Sequence, residues 1–134
     1  MKLDIAYRAC VVALLIGQLL WFLFPWASLY GEQSVAALLF YGADSILGEQ
    51  ALNVASHFIF ALYLVTYAGM YFFMRWARNF LLVLLLLGGL WIPVNGIAVQ
   101  SGYEAMLGYF LTLGDGFLIG ISFFSRVSQG FSRS

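Results

Sequence analysis

A single carboxylate, Asp115, lies deep inside an apolar stretch of this chain. If that stretch crosses a lipid bilayer, the charged form costs about 2.5–3.5 kcal/mol, and such residues are candidate functional sites. Counted by helical rise from Ala105, Asp115 lies about 15 Å along its segment. Gln18, Tyr63 and Tyr67 lie at a similar depth in other apolar segments. These four polar residues form a candidate intramembrane site.

Three interpretations of Asp115 remain open. The carboxyl group is protonated or hydrogen-bonded and holds helices together, it handles a proton or an ion, or it contacts a cation of a partner protein. A helical spacing places several residues on the same side of the segment, and we expect this side to face inward. These residues are Gly108, Thr112, Asp115, Ile119 and Ser122. Gly116 and Gly120 on a neighbouring face form a weak pattern for close helix packing.

A second polar layer is predicted nearer the outer surface. Asn53 and His57 lie near the start of one apolar segment, and Asn95 follows Pro93 near the end of the next. Asn53, His57 and Asn95 are therefore a candidate outer pocket, with Asn95 also able to bond carbonyl groups freed by the proline.

Metal, haem and thiol chemistry need clusters of ligands or paired cysteines. The chain has one histidine, His57, and one cysteine, Cys10, which the segments place near opposite membrane faces. We expect Cys10 to be a packing residue. No phosphate loop or nucleophilic triad is recognisable, so we expect no cofactor, no metal and no enzymatic activity.

The composition indicates an integral membrane protein. Of 134 residues, 63% are hydrophobic and only 9% are charged, with six basic and six acidic residues. Soluble domains carry about 25% charged residues, and a chain of this size has too small an interior to bury so much apolar surface. A net charge of zero also argues against nucleic-acid binding.

About 20 apolar residues are needed for each helical crossing, and the chain has four such segments. We therefore predict an all-α bundle of four transmembrane helices as one domain, 1–125, followed by a polar cytoplasmic tail, 126–134, with nothing to bury. The predicted spans are 9–26, 53–74, 80–99 and 105–124.

All six basic residues fall on one side of these spans, which predicts that both termini are cytoplasmic in the inner membrane. The first span resembles a signal peptide in following Lys2 and Arg8. Its length, its aromatic residues and the lack of a small-residue cleavage site favour a true span.

Residues 34–47 are too apolar for a free loop and too short to cross. We expect a short interfacial or re-entrant helix here on the outer side, with Ser34 as its N-cap and Gly48 as the residue after its end.

With little mass outside the spans, the chain is expected to act through contacts in the bilayer, with another membrane protein or as a homo-oligomer. An accessory or assembly subunit and an immunity-type protein against a membrane-acting toxin fit this layout. The alternative is an oligomeric transporter or channel subunit that uses Asp115. An enzyme acting on a lipid or isoprenoid through Asp115 and His57 is less well supported.

Overall fold

The computed structural model describes residues 2–31, 41–43 and 45–132. Four long helices dominate it, followed by a short fifth helix. The long helices are α1 (Lys2–Leu23), α2 (Glu49–Tyr71), α3 (Arg75–Trp91) and α4 (Gly102–Phe124), and the short one is α5 (Ser128–Ser132). Between them lie two 3₁₀ turns, Trp26–Leu29 and Ile92–Asn95, and two short strands, β1 (Tyr41–Ala43) and β2 (Ile97–Ala98).

The prediction of four helices long and apolar enough to cross a membrane is confirmed. The helices form a ring in chain order, because α1 packs against α2 and α4, and α3 packs against the same two. Helices α2 and α4 therefore lie diagonally opposite each other. One end of the ring, here called the loop end, carries β1 and β2. The other, here called the basic end, carries Arg8, Arg75, Arg78 and Arg126.

Proline residues set the ends of two helices. Helix α1 stops at Leu23, two residues before Pro25, because a residue that precedes proline avoids the helical conformation. Helix α3 ends at Trp91, and Pro93 lies in the 3₁₀ turn that follows. The predicted third span, 80–99, is therefore wrong at its end, since Gly96 turns the chain with φ 68° and β2 begins directly after it.

The predicted interfacial helix over 34–47 is wrong for the part that the structure describes. Residues Tyr41–Ala43 form β1, which pairs with β2 in an antiparallel ladder. The Ser45 hydroxyl then donates a hydrogen bond to the Val94 carbonyl at 2.9 Å. Gly48, with φ 78°, precedes α2 rather than ending an earlier helix. Residues 32–40, including Ser34, lie outside the described part of the chain.

A Schellman motif ends α2 at the basic end. The Met74 amide donates to the Gly69 carbonyl at 2.9 Å, and the Phe73 amide donates to the Met70 carbonyl at 3.1 Å. Phe73 occupies the left-handed position of this motif with φ 57°, where glycine is the usual residue. Its ring stacks on Tyr7 at 5.3 Å, so packing compensates for an unfavourable backbone conformation.

Within the segment predicted as a polar tail with nothing to bury, residues 127–131 instead pack onto the bundle. Val127 and Phe131 are buried in the same cluster as Tyr7, Met70 and Leu81. The Arg75 Nε donates a hydrogen bond to the Phe131 carbonyl at 2.9 Å. The prediction failed because Val127 and Phe131, four residues apart, lie among serines and arginines but share one helical side.

Glycines let neighbouring helices approach closely at two interfaces. Between α1 and α4, a methyl group at Gly17 would lie 2.9 Å from a Leu111 methyl carbon. Between α2 and α3, a methyl group at Gly69 would lie 2.8 Å from the Ala77 Cβ. Gly116 and Gly120, by contrast, have no atom within 4 Å of the corresponding position. These two glycines therefore do not serve close packing between the described helices of the chain.

Candidate functional site

The centre of the bundle holds a hydrogen bond between two side chains that the sequence marked. The Tyr67 hydroxyl on α2 donates to Oδ1 of Asp115 on α4, with 2.7 Å between the oxygens. Asp115 is 3% exposed and Tyr67 is 0% exposed. A buried polar group is tolerated when it is paired in this way. The structure thus pairs the buried carboxyl group with the hydroxyl of a buried tyrosine.

The direction of the helices explains how this contact forms. Both α2 and α4 run from the loop end to the basic end. Helical side chains tilt toward the N-terminus of their helix, so the Tyr67 ring points back from the basic end toward the middle of the bundle. Asp115 lies nine residues before Phe124, which is about 13 Å from the basic end of α4 at the helical rise. The long phenol side chain spans the difference in depth between the backbone of Tyr67 and the backbone of Asp115.

Tyr63 lies next to this pair without contacting the carboxyl group by a hydrogen bond. Its ring centroid is 6.1 Å from that of Tyr67. Its hydroxyl donates instead to the Leu84 carbonyl on α3, at a long 3.4 Å. Gly88, one turn further along α3, lies beside this hydroxyl. Tyr63 therefore connects α2 to α3, while Tyr67 connects α2 to α4.

Gln18, the remaining member of the predicted inner site, is buried on α1 and 7% exposed. Among the described residues, no hydrogen bond joins Gln18 to Asp115. It contributes a polar group to the same interior but is not the partner of the carboxyl group.

The inward side of α4 differs from the predicted one at Thr112. Thr112 is exposed, and its hydroxyl donates to the Gly108 carbonyl of its own helix at 3.0 Å. The expectation that Thr112 faces inward is therefore wrong, because the buried side is rotated toward the large leucines. The buried residues of α4 are Leu111, Asp115, Leu118 and Ser122.

The candidate outer residues are not joined into one hydrogen-bonded group in the described part of the chain. Asn53 and His57 are exposed, and His57 Nδ1 lies 2.8 Å from the Asn53 carbonyl, a bond within α2. The imidazole also meets Phe22 of α1 edge to face at 5.0 Å. Asn95 lies in the 3₁₀ turn, and its buried Oδ1 has no partner among the described residues.

The sequence reasoning missed a second ordered region, at the basic end. Arg8 lies over the Tyr71 ring at 5.1 Å, and Arg78 lies over the Phe123 ring at 4.7 Å. The arginines that served only to orient the chain therefore also pack on aromatic rings. The signal for this was the aromatic run Tyr71 to Phe73, which ends two residues before Arg75.

Chemically, the described residues supply one enclosed carboxyl group with a phenol donor. No group of three or more His, Cys, Asp or Glu that could hold a metal ion occurs within the part of the chain that the structure describes. Cys10 is half-buried against the core cluster as a free thiol. The arrangement is suited to fixing α2 against α4. No protein-family model, no curated protein and no solved structure matches this chain.

Proposed function

We propose that this chain is an integral membrane protein that acts through protein contacts within the bilayer, as an accessory or assembly subunit or as an immunity-type protein. Four helices with the required length and hydropathy support insertion. Their outward surfaces are lined with large apolar side chains, which suits contact with lipid and with other membrane helices.

The observation that carries the proposal is the unused pair of glycines on α4. Elsewhere, as at Gly17 and Gly69, glycines serve close packing within the chain. Gly116 and Gly120 have open space where a side chain would be. Small residues at this spacing allow a second helix to approach the backbone closely, and such approach drives association in membranes. The α4 surface at Gly116 and Gly120 is therefore our proposed contact site for another membrane protein or a second copy.

The enclosed position of Asp115 favours this proposal over an ion-conducting oligomer. A proton or cation site must exchange with water during work, whereas the Asp115 carboxyl group is buried and bonded to Tyr67. Under our proposal this carboxyl group fixes the bundle that presents α4. Transport through Asp115 remains the alternative, and it requires an opening between α2 and α4.

Replacing a contact glycine with a bulky residue tests the proposal. Gly116→Ile fills the α4 surface, while Gly89→Ile makes the same change on α3, where the glycine is also exposed and has open space around it. Tagged protein is purified from its native membranes in mild detergent. Proteins that co-purify in stoichiometric amounts are then identified by their mass. We expect Gly116→Ile to lose the companion chain and Gly89→Ile to keep it. A wild-type protein that purifies alone, or equal behaviour of the two variants, would contradict the proposal.

We further propose that the basic end faces the cytoplasm of a cell with an inner membrane, placing both termini inside. The support is that all described arginines lie at this end, in agreement with the tendency of basic residues to remain cytoplasmic. Reporter fusions after Ser134 and at Leu47 test the orientation. Activity of an externally active reporter at the C-terminus would overturn it.

A further inference from the structure

A groove runs along the outward side of α1 at the basic end. It has a volume of about 450 Å³ and is open to the side. Two alanines at a four-residue spacing, Ala9 and Ala13, form part of its lining. The remaining lining consists of Ile5, Arg8, Val12, Ile16 and Tyr71. Apart from Arg8 and Tyr71, the lining side chains are aliphatic.

The length of the groove matches one leaflet of a bilayer. Ile5 and Ile16 are eleven residues apart on a continuous helix, so the groove extends about 16 Å at 1.5 Å per residue. Half of the hydrocarbon thickness of a bilayer is about 15 Å. The part between Arg8 and Ile16 is about 12 Å long at the same rise, so an acyl chain of the leaflet at the basic end lies along it without reaching the opposite leaflet.

The groove carries one cationic side chain, Arg8, near the basic end, and the carboxylate of Asp4 lies one turn earlier on the same helix. The Arg8 guanidinium rests over the rings of Tyr71 and Phe73 at 5.1 and 5.3 Å. These ring contacts fix its position but do not use its hydrogen-bond donors. Arg8 makes no ion pair or hydrogen bond with another described residue. Its donors are thus free to bind a phosphate group at the level of the lipid headgroups, where guanidinium forms paired hydrogen bonds.

We propose that this α1 groove binds one anionic phospholipid, with the phosphate on Arg8 and an acyl chain along Ala9 and Ala13. A zwitterionic lipid offers the same chain, but its headgroup cation opposes Arg8, so the groove selects a lipid with net negative charge. The inference rests on the proposed membrane insertion but not on the proposed protein contacts. It involves none of the glycines of α4.

Lipid retention and lipid mobility test the proposal in the full-length chain. Carbonate extraction of the native membranes first establishes insertion, so a failure of insertion is read separately from a failure of lipid binding. The purified protein is then placed in phosphatidylcholine vesicles that contain a trace of spin-labelled phosphatidylglycerol or spin-labelled phosphatidylcholine. The fraction of immobilised label reports the relative affinity of the chain for each lipid.

Arg8→Gln removes the charge at the groove, and Arg126→Gln removes an exposed charge at the same end of the bundle. We expect Arg8→Gln to reduce the preference for phosphatidylglycerol roughly tenfold, the effect of losing a charge-assisted hydrogen bond. Arg126→Gln is expected to change it less, because an exposed charge outside the groove attracts anionic headgroups without holding one lipid in paired hydrogen bonds. Equal effects of the two variants, or no effect of Arg8→Gln, would refute the proposal.

A second variant tests the acyl chain independently of charge. Ala13→Leu places a larger apolar side chain in the groove at an exposed position. It is expected to reduce the immobilised phosphatidylglycerol although Arg8 is intact. Retention of the lipid by Ala13→Leu would show that the groove does not hold the chain.

Discussion

Tyr67 and Asp115 connect two helices that lie diagonally opposite in the four-helix ring, through a hydrogen bond of 2.7 Å. All other helix contacts that build the ring are between neighbours in the sequence or between the first and last spans. This bond therefore adds a direct polar link across the ring to the apolar core that Tyr67, Met70 and Leu118 share. The Asp115 carboxyl group, the polar group that would be most costly to place in a membrane, thus helps to hold α2 and α4 together.

Asp115→Asn should be tolerated. The amide oxygen still accepts the hydrogen bond from Tyr67, so we expect the free energy of unfolding to change by less than about 0.5 kcal/mol. Asp115→Leu, which removes the acceptor and leaves the Tyr67 hydroxyl unpaired, should cost about 1–3 kcal/mol. Unfolding by a denaturing detergent in mixed micelles measures both values. An ion flux in proteoliposomes that the wild type supports and Asp115→Asn abolishes would instead favour the transport alternative.

The buried ring of Phe131 should make the C-terminal segment essential to stability. Phe131 is 0% exposed, whereas Phe124 is 93% exposed. We expect Phe131→Ala to lower the free energy of unfolding by about 3 kcal/mol, as for other buried phenylalanines. Phe124→Ala is the matched control and should change it by less than about 0.5 kcal/mol. Equal effects of the two variants would mean that α5 does not pack on the bundle.

Phe73 offers a test of backbone conformation. Both Phe73→Ala and Phe73→Gly lose the ring contacts with Tyr7 and Phe131, so both should be less stable than the wild type. Glycine adopts the left-handed conformation without the cost that alanine incurs, about 1 kcal/mol. Thermal unfolding in detergent should therefore rank Phe73→Gly above Phe73→Ala. The reverse order would contradict the Schellman motif at the end of α2.

Gly69 should not tolerate even a methyl group. In Gly69→Ala the new Cβ meets the Ala77 Cβ at 2.8 Å, and that atom is attached directly to the α3 backbone. The helices must separate, which we expect to cost about 1–3 kcal/mol. Gly89→Ala, at an exposed helical glycine with open space around it, serves as the control and should be neutral or slightly stabilising. A stable Gly69→Ala variant would show that α2 and α3 are further apart here.

Much of the architecture could be predicted because it depends on apolar segments of sufficient length. The four helices and their order follow from hydropathy, and the burial of Asp115 follows from the cost of exposing it to lipid. Tyr67 was one of three candidate partners at similar depth. Choosing it over Gln18 required knowing which helices lie diagonally opposite, and depth alone does not contain that information.

Two incorrect sequence predictions, the interfacial helix and the polar tail, have local physical causes. The segment before Gly48 is apolar enough for a helix. Its residues Tyr41–Ala43 form a strand instead, because they pair with β2. In the C-terminal segment, Val127 and Phe131 are too few to produce a strong hydropathy signal. They are nevertheless enough to bury a short helix against a cluster that distant residues build.

A double-mutant cycle on Tyr67 and Asp115 measures the energy with which this hydrogen bond couples α2 to α4. The free energies of unfolding of Tyr67→Phe, Asp115→Ala and the double variant are measured in mixed micelles. We expect a coupling energy of about 1 kcal/mol, the magnitude of a good hydrogen bond between membrane helices. The same cycle with Tyr63→Phe is the control and should give a coupling near zero, since the Tyr63 hydroxyl bonds to the Leu84 carbonyl. Zero coupling between Tyr67 and Asp115 would show that their hydrogen bond does not hold α2 and α4 together.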